Sequence, residues 1–299
     1  MITTRNRVRE LQRTLAKVRS LAPAPVEILV TADGCSDGTP DLVKQGFPDV
    51  ALRINERALG SVGSRDQMMR VAQGELVLAL DDDSYPEQSD CLARFGPLFR
   101  ERLNLAVAHF PQRTDEYPET LRQNSFGPPC LTGSFANSGA VLRRSAYIAL
   151  GGFEPWFFHM YEEPDFALRC VSAGWEILRT PVVTIRHHFT PTNRESIRSH
   201  QLHARNEFWS TLMRCPQPMA LAVCAYRCLS QLRFAARTRG LAGIIREPQW
   251  WFAALGGVAY AWRHRDPVPW SSYQRWRRLT ARAMRLQDPR AVIEPAAVD

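Results

Sequence analysis

Five apolar residues, Leu76-Val77-Leu78-Ala79-Leu80, run without a break into Asp81-Asp82-Asp83, and no other stretch constrains the fold as tightly. An uninterrupted apolar run of strand length, opened by Gly74 and closed by charge, suits a central parallel strand covered on both faces. The carboxyl end of such a strand opens into the crevice where open α/β sheets bind ligands. Three adjacent carboxylates there repel one another unless a cation or hydrogen-bond donors offset the charge, and hard divalent ions such as Mg²⁺ or Mn²⁺ favour oxygen ligands. The plainer reading is an acidic turn, with Ser84 and Pro86 supplying the turn chemistry.

Around that strand, helical and extended patterns alternate at short spacing. Val8, Leu11, Leu15 and Val18 recur at three- and four-residue steps and predict an amphipathic helix from about Arg5 to Leu21. A strand is predicted over 26–31, stopping at Ala32-Asp33-Gly34, then a short helix from Thr39 to Gln45 with Pro40 in its first turn. A brief strand over 51–54 and a helix over 61–73 lead back to the apolar run. This β-α-β-α-β order predicts a right-handed, mostly parallel, doubly wound sheet. Further along, helices are expected over 91–102 and from Ser145 to Gly151, a strand over 105–110 and a long loop from Pro111 to Pro129. Another helix opens at Glu162-Glu163-Pro164-Asp165, where proline and acids suit a first turn, and a strand over 182–185 delivers His187 and His188. Beyond about His200 the alternation stops, so the expected division is an α/β domain over 1–199 and a helical, Arg- and Trp-rich region over 200–299.

Composition narrows the partners. The net charge of +8 is carried almost wholly by arginine, because lysine occurs only at Lys17 and Lys44. Such an excess suits nucleic acid, an anionic membrane surface or a phosphorylated substrate. The basic residues are not concentrated in a recognised recognition motif, and nucleic-acid binding would need a basic stripe with aromatic platforms, which argues against nucleic acid. Seven cysteines without a C-x-x-C argue against a disulfide framework and a zinc site and for reduced, buried thiols. No signal-like apolar core and no spanning-length apolar run is present, so cytoplasmic residence is expected. Five of the eight tryptophans, Trp250, Trp251, Trp262, Trp270 and Trp276, lie among long arginines. That pattern fits either a helix in the headgroup layer of a membrane or a buried helix hairpin capping the main domain.

Three constellations fall at predicted strand ends: Asp33-Gly34-Cys35-Ser36-Asp37-Gly38-Thr39, the Asp81 to Asp83 run, and Glu162-Glu163-Pro164-Asp165 with the two histidines. Each alone also reads as ordinary turn or capping chemistry. In this order they resemble the family 2 glycosyltransferases of the GT-A fold. Ile2-Thr3-Thr4-Arg5-Asn6-Arg7 is similar to the end of that family's first-strand signature, and Asp33 to Thr39 to its D-G-S-T-D-G-T turn. Asn55, Gly60, Arg65 and Gly74-Glu75 resemble the approach to its D-x-D motif, here Asp81-Asp82-Asp83. Gly139 to Arg144 with Gly151-Gly152-Phe153 is similar to its acceptor-side segment, and Phe158 to Arg169 with Ala173-Gly174-Trp175 to its catalytic-base helix.

The resemblance implies a GT-A-type sheet over about residues 1–190 and an inverting transfer from a nucleotide-diphosphate sugar to a hydroxyl of a glycan or lipid-linked acceptor. A hexosyl- or deoxyhexosyltransferase of cell-surface polysaccharide synthesis, working at the inner membrane surface, is the implied enzyme; a non-catalytic nucleotide-sugar or glycan-binding module is the alternative. By position, Thr4, Asn6, Arg7, Asp33, Arg65, Asp81 and Asp82 fall to the donor. Asp83 and His188 fall to a divalent cation, Mn²⁺ or Mg²⁺, with Asp82 and His187 as the neighbouring choices. Glu163 falls to the general base, where the family more usually has Asp, with Asp165 beside it, and Gly139 and Glu162 to the acceptor side. Two departures stand out: of the several apolar residues that normally precede the Thr-x-Asn-Arg element only Met1 and Ile2 remain, so a native start upstream of Met1 is expected, and Ala32 replaces a first acid of the donor turn.

Overall fold

The structure, a computed structural model, describes residues 1–189 and 196–286. The first third carries the expected alternation: β1 (Ile2–Thr4), α1 (Val8–Arg19), β2 (Leu29–Asp33), α2 (Thr39–Gly46), β3 (Ala51–Asn55), α3 (Gly60–Val71) and β4 (Leu76–Asp81). Then come β5 (Ser84–Pro86), α4 (Cys91–Glu101), β6 (Leu105–His109), β7 (Gln112–Thr114), β8 (Cys130–Leu131), β9 (Ala140–Arg143) and α5 (Arg144–Ala149). α6 (Glu162–Ser172), β10 (Glu176–Arg179) and β11 (Ile185–His187) follow, and after residue 195 the chain is helical: α7 (Ser196–Arg214), α8 (Met219–Arg246), α9 (Pro248–Gly256), α10 (Val258–Arg263) and α11 (Trp270–Ala281), closed by β12 (Met284–Arg285).

Nine strands form one sheet in the order β12-β8-β10-β6-β9-β4-β1-β2-β3. β9 and β8 run against the direction shared by the others, so the parallel block β4-β1-β2-β3 is joined to β6 and β10 through one reversed strand. A second sheet, β5-β11-β7, stands beside the acid end of β4. The sequence reads Pro111 to Pro129 as a loop, yet it contributes β7 and a 3₁₀ turn at Pro118–Arg122, because β7 pairs in register with β11. The strand expected at Val26 starts at Leu29: Val26 is exposed, and the Glu27 carboxylate instead receives the backbone N–H groups of Gln73 and Gly74.

Apolar periodicity explains the packing. Leu11 and Leu15, one helical turn apart, are fully enclosed where α1 faces β5 and α2, each contributing about 2 kcal/mol by leaving water. Phe95 and Phe99 of α4 repeat the spacing. Tyr147, Phe153 and Phe166 meet ring to ring at 5.0–5.5 Å and fasten α5 to α6. The helices after residue 195 share this core through Trp209, Leu212, Tyr273 and Trp276. α11 packs on α6, and β12 extends the large sheet. In the tryptophan-rich segment Trp250 and Trp276 are buried, whereas Trp262 is exposed together with Leu241, Ile245, Phe252 and Leu255. Among the described residues no helix is long and apolar enough to cross a membrane.

Candidate active site

Parallel pairing lines up the ends of β1, β2 and β4, with Thr3 beside Asp81 and Thr4 beside Ala32. The three aspartates leave β4 in different directions. Asp82 turns back under β1, where one oxygen accepts the Thr4 hydroxyl at 2.8 Å and the other lies 2.9 Å from Arg7 Nε. Burial pushes its carboxyl up to about 7 against the pull of Arg7. Asp83 meets Arg7 on one oxygen and His187 Nε2, 3.1 Å away, on the other. Asp81 pairs with Arg65 and lies 3.9 Å from the same His187 nitrogen. Asp81, Asp83 and His187 thus offer one ligand atom each, all within 4.8 Å of one another.

Of the two adjacent histidines, His187 reaches the acids. His188, the first choice in the sequence reading, turns its ring to the Tyr85 hydroxyl at 2.9 Å and to Asp115 at 3.6 Å, and only its backbone N–H touches Asp83. Successive strand residues face opposite sides, so β11 ending at His187 decides the matter.

Asp33 sits at the end of β2 and accepts three N–H groups, from the Asn55 amide at 2.8 Å, Leu59 at 2.9 Å and Gly60 at 2.8 Å, which ties the turn after β2 to the start of α3. Asn6 ties β1 to the same turn by accepting the Ser36 N–H at 2.7 Å. Asp37 accepts the Thr39 N–H two residues on, at 3.1 Å, so the turn carries ordinary Asx-turn chemistry as well. Gly139 lies on the far wall, where an added Cβ would fall 2.4 Å from Ile185 of β11.

The first turn of α6 faces the aspartates. Arg65 bridges the two sides, binding Asp81 with one nitrogen and lying 3.4 Å from Glu162 with another. Glu162 Oε1 also accepts from the Asn137 amide, while Oε2 is enclosed without a hydrogen-bond partner. Glu163 accepts the Asn137 backbone N–H at 3.3 Å. Burial and then the neighbouring Glu162 push the Glu163 carboxyl up to about 8, with Arg65 opposing. Asp165, expected beside Glu163 as a catalytic acid, does not reach the cleft. Its oxygens are taken by Arg169 at 2.9 Å, Ser210 at 2.8 Å and Arg214 at 3.3 Å, and the two guanidinium groups hold its carboxyl below the usual range despite burial. Residues two apart on a helix point to nearly opposite sides, which is the physical reason for the correction.

Entry to α6 is strained. Phe158, Met160 and Tyr161 have φ of 64°, 70° and 71°, a left-handed region that costs a non-glycine residue about 1–2 kcal/mol. Gly60 makes room for this loop, since a Cβ there would lie 1.9 Å from the Phe158 carbonyl oxygen. Val62 N–H donates to that same oxygen, and the Ser61 hydroxyl meets His159 Nδ1 at 2.7 Å. Sequence reasoning passed over Asn137, Ser61, His159 and the α7 residues Asn206, Ser210 and Arg214. The last three recur at four-residue steps, a spacing that marks one helix face.

Solved structures share this architecture. Residues 1–349 of S. aureus TarS in complex with UDP-GlcNAc superpose with a TM-score of 0.60 at 17% identity, covering 93% of this chain and 82% of that one. GalNAc-T7 with UDP, GalNAc and Mn²⁺ gives a TM-score of 0.57 at 13% identity over 87% of this chain, which spans 56% of that protein. The fold is that of the GT-A glycosyltransferases. The model of Glycosyl transferase family 2 matches residues 1–168, more than half of the chain, and the chain belongs to that family of glycosyltransferases. It is 25% identical over 227 residues, 60% of this chain and 71% of the other, to an N-acetylglucosaminyl-diphospho-decaprenol L-rhamnosyltransferase of Mycobacterium tuberculosis.

Proposed function

We propose that the protein transfers a sugar, with inversion, from a nucleotide-diphosphate sugar to a hydroxyl of a lipid-linked glycan. The observation that carries this reading is the single guanidinium of Arg65, which joins the donor-side Asp81 to the base-side Glu162 and so sets the two halves of the reaction across one cleft. Asp33, Asn6 and Thr4 line the nucleotide end, and Arg7 and Arg65 offset charge around the diphosphate. Two carboxylates and an imidazole whose ligand atoms lie within 4.8 Å suit Mn²⁺ or Mg²⁺, with Asp81, Asp83 and His187 as holders. A bound cation of this kind neutralises charge on the leaving diphosphate. Glu163 accepts the proton of the acceptor hydroxyl, and Glu162 and Gly139 border the acceptor. With one base on one face, a single displacement inverts the anomeric centre.

Residues 1–199 form the catalytic unit in this reading, and 200–299 support it and face a membrane. The relative's name includes a lipid-linked acceptor. Leu241, Ile244, Ile245, Phe252 and Leu255 are exposed, as are Arg233, Arg237 and Arg246 of the same helical region, a composition suited to an anionic surface. The primary test is calorimetry with UDP-, GDP- and dTDP-sugars with and without Mn²⁺. Binding of one nucleotide class that depends on the cation supports the assignment, and a folded protein that binds none of them defeats it. Flotation with vesicles containing anionic lipid tests the surface; protein left at the bottom of the gradient at low salt removes that part of the proposal.

A further inference from the structure

We propose that Asn206 of α7 is a positioning residue: its side-chain amide holds the backbone of residues 157–161 in the left-handed shape that aims the first turn of α6 into the cleft. The inference rests on the reading of Glu163 as the base.

Three left-handed non-glycine residues within four positions persist only where the surroundings over-determine them. Asn206 supplies that determination. It is fully buried, and its Nδ2 lies 3.0, 2.8 and 2.7 Å from the carbonyl oxygens of Phe157, His159 and Met160. Its Oδ1 accepts from Arg205 Nε and Nη2, each at 3.0 Å, which fixes which way round the amide stands. Arg205 adds a bond of its own to the Phe157 carbonyl at 3.1 Å. Alanine at this position leaves buried carbonyls without their donor. Aspartate has nearly the same shape but presents an acceptor to three acceptors.

The clamp continues along the same face of the helix. Four and eight residues on, Ser210 and Arg214 bind Asp165, so α7 grips α6 at two places: the strained chain entering it and the back of its first turn. Of the two other carbonyls of the loop, that of Tyr161 accepts the Asp165 N–H of α6, and that of Phe158 accepts from Val62 and lies against Gly60, whose own N–H is held by Asp33. The loop is therefore a wall shared by the donor turn and the base helix, and Asn206 fixes its position from outside the cleft.

The test uses the full chain and needs no acceptor. Hydrolysis of UDP-, GDP- and dTDP-sugars with Mn²⁺ is followed for wild type, Asn206→Ala, Asn206→Asp, Ser210→Ala and Glu163→Gln. Binding of UDP, GDP and dTDP, thermal melting and amide hydrogen exchange are measured on the same samples. Asn206→Ala is expected to melt cooperatively, keep nucleotide affinity within about threefold and lose about 100-fold in turnover, as a misplaced base does. Exchange across 157–165 should rise about tenfold while β4 stays protected. Asn206→Asp should lose at least as much, which separates polarity from packing. Turnover within about threefold of wild type, or a loss of turnover matched by equal loss of nucleotide binding, overturns the proposal. If neither Asn206 variant folds, Ser210→Ala decides: faster exchange confined to 157–165 with a loss of about fivefold in turnover supports the clamp, and unchanged values refute it. An inactive Glu163→Gln beside a fully active Asn206→Ala rejects the clamp and keeps the base, whereas an active Glu163→Gln beside a slow, loosened Asn206→Ala does the reverse.

Discussion

Glu163 and Asp165 stand two residues apart in the first turn of α6, and the molecule treats them in opposite ways. Asp165, on the back of the helix, has Arg169, Arg214 and Ser210 around it and stays ionised in a fully buried place. Glu163, on the cleft side, has one backbone N–H and a second carboxylate for company, and holds its proton up to about pH 8. A buried acid given cations is a fastening. A buried carboxyl set beside a second carboxyl, with the Arg65 guanidinium pulling less strongly the other way, is a group ready to take up a proton, which is what a base near neutral pH requires.

The comparison breaks most visibly if the Glu163 carboxylate is removed. Glu163→Gln should lower turnover about 10³-fold while nucleotide affinity stays near wild type, the scale expected for a lost general base; steady-state rates with calorimetry check it, and retained turnover sends the role elsewhere. Asp165→Asn should act on the other quantity. It leaves Arg169 and Arg214 buried without their counter-charge, and a loss of about 3 kcal/mol in urea unfolding is expected; a change below about 1 kcal/mol shows that Asp165 is no fastening.

A second adjacent pair sharpens the contrast on the metal side. His187→Ala should weaken Mn²⁺ binding at least about tenfold, whereas His188→Ala, whose ring faces Tyr85 and Asp115, should change it less than about threefold. Equal effects measured by calorimetry would place both rings at the cation. The smallest expected effects concern pH. Turnover per unit KM should climb with pH and level off above about 8, as Glu163 loses its proton. Its raised carboxyl costs stability as pH rises, because between the ordinary 4.5 and about 8 the unfolded chain has released a proton that the folded chain keeps. Glu163→Gln should therefore melt above wild type at pH 9 and together with it at pH 4, by scanning calorimetry.

Local pattern carried much of this. The apolar run ending in aspartates became β4 with its acids at the cleft, and the acids with proline at 162–165 became the first turn of α6, because strand length and capping chemistry are written within a few residues. What escaped depends on partners far away in the chain. Ala140-Val141-Leu142-Arg143 reads the same in either direction of pairing, and only its place between β4 and β6 makes β9 antiparallel. The choice between His187 and His188 turned on where β11 ends, since a shift of one residue reverses a strand's faces. Asp165 was legible in principle from helical geometry, but its arginine and serine partners on α7 lie some fifty residues on, and no short motif announces them.

The grip of α7 on α6 bears on how such chains can be recombined. The match to the family ends at residue 168, before α7 begins. A hybrid joined near residue 190 would inherit every acid of the cleft together with a foreign helix behind it. Unless that helix also offered an amide, a hydroxyl and a guanidinium at four-residue steps, the hybrid would carry a complete set of motif residues on an unsupported loop. A junction placed after residue 214 keeps motif and clamp in one piece, provided the grafted part still supplies a helix that packs on α6 as α11 does and a strand that pairs with β8 as β12 does.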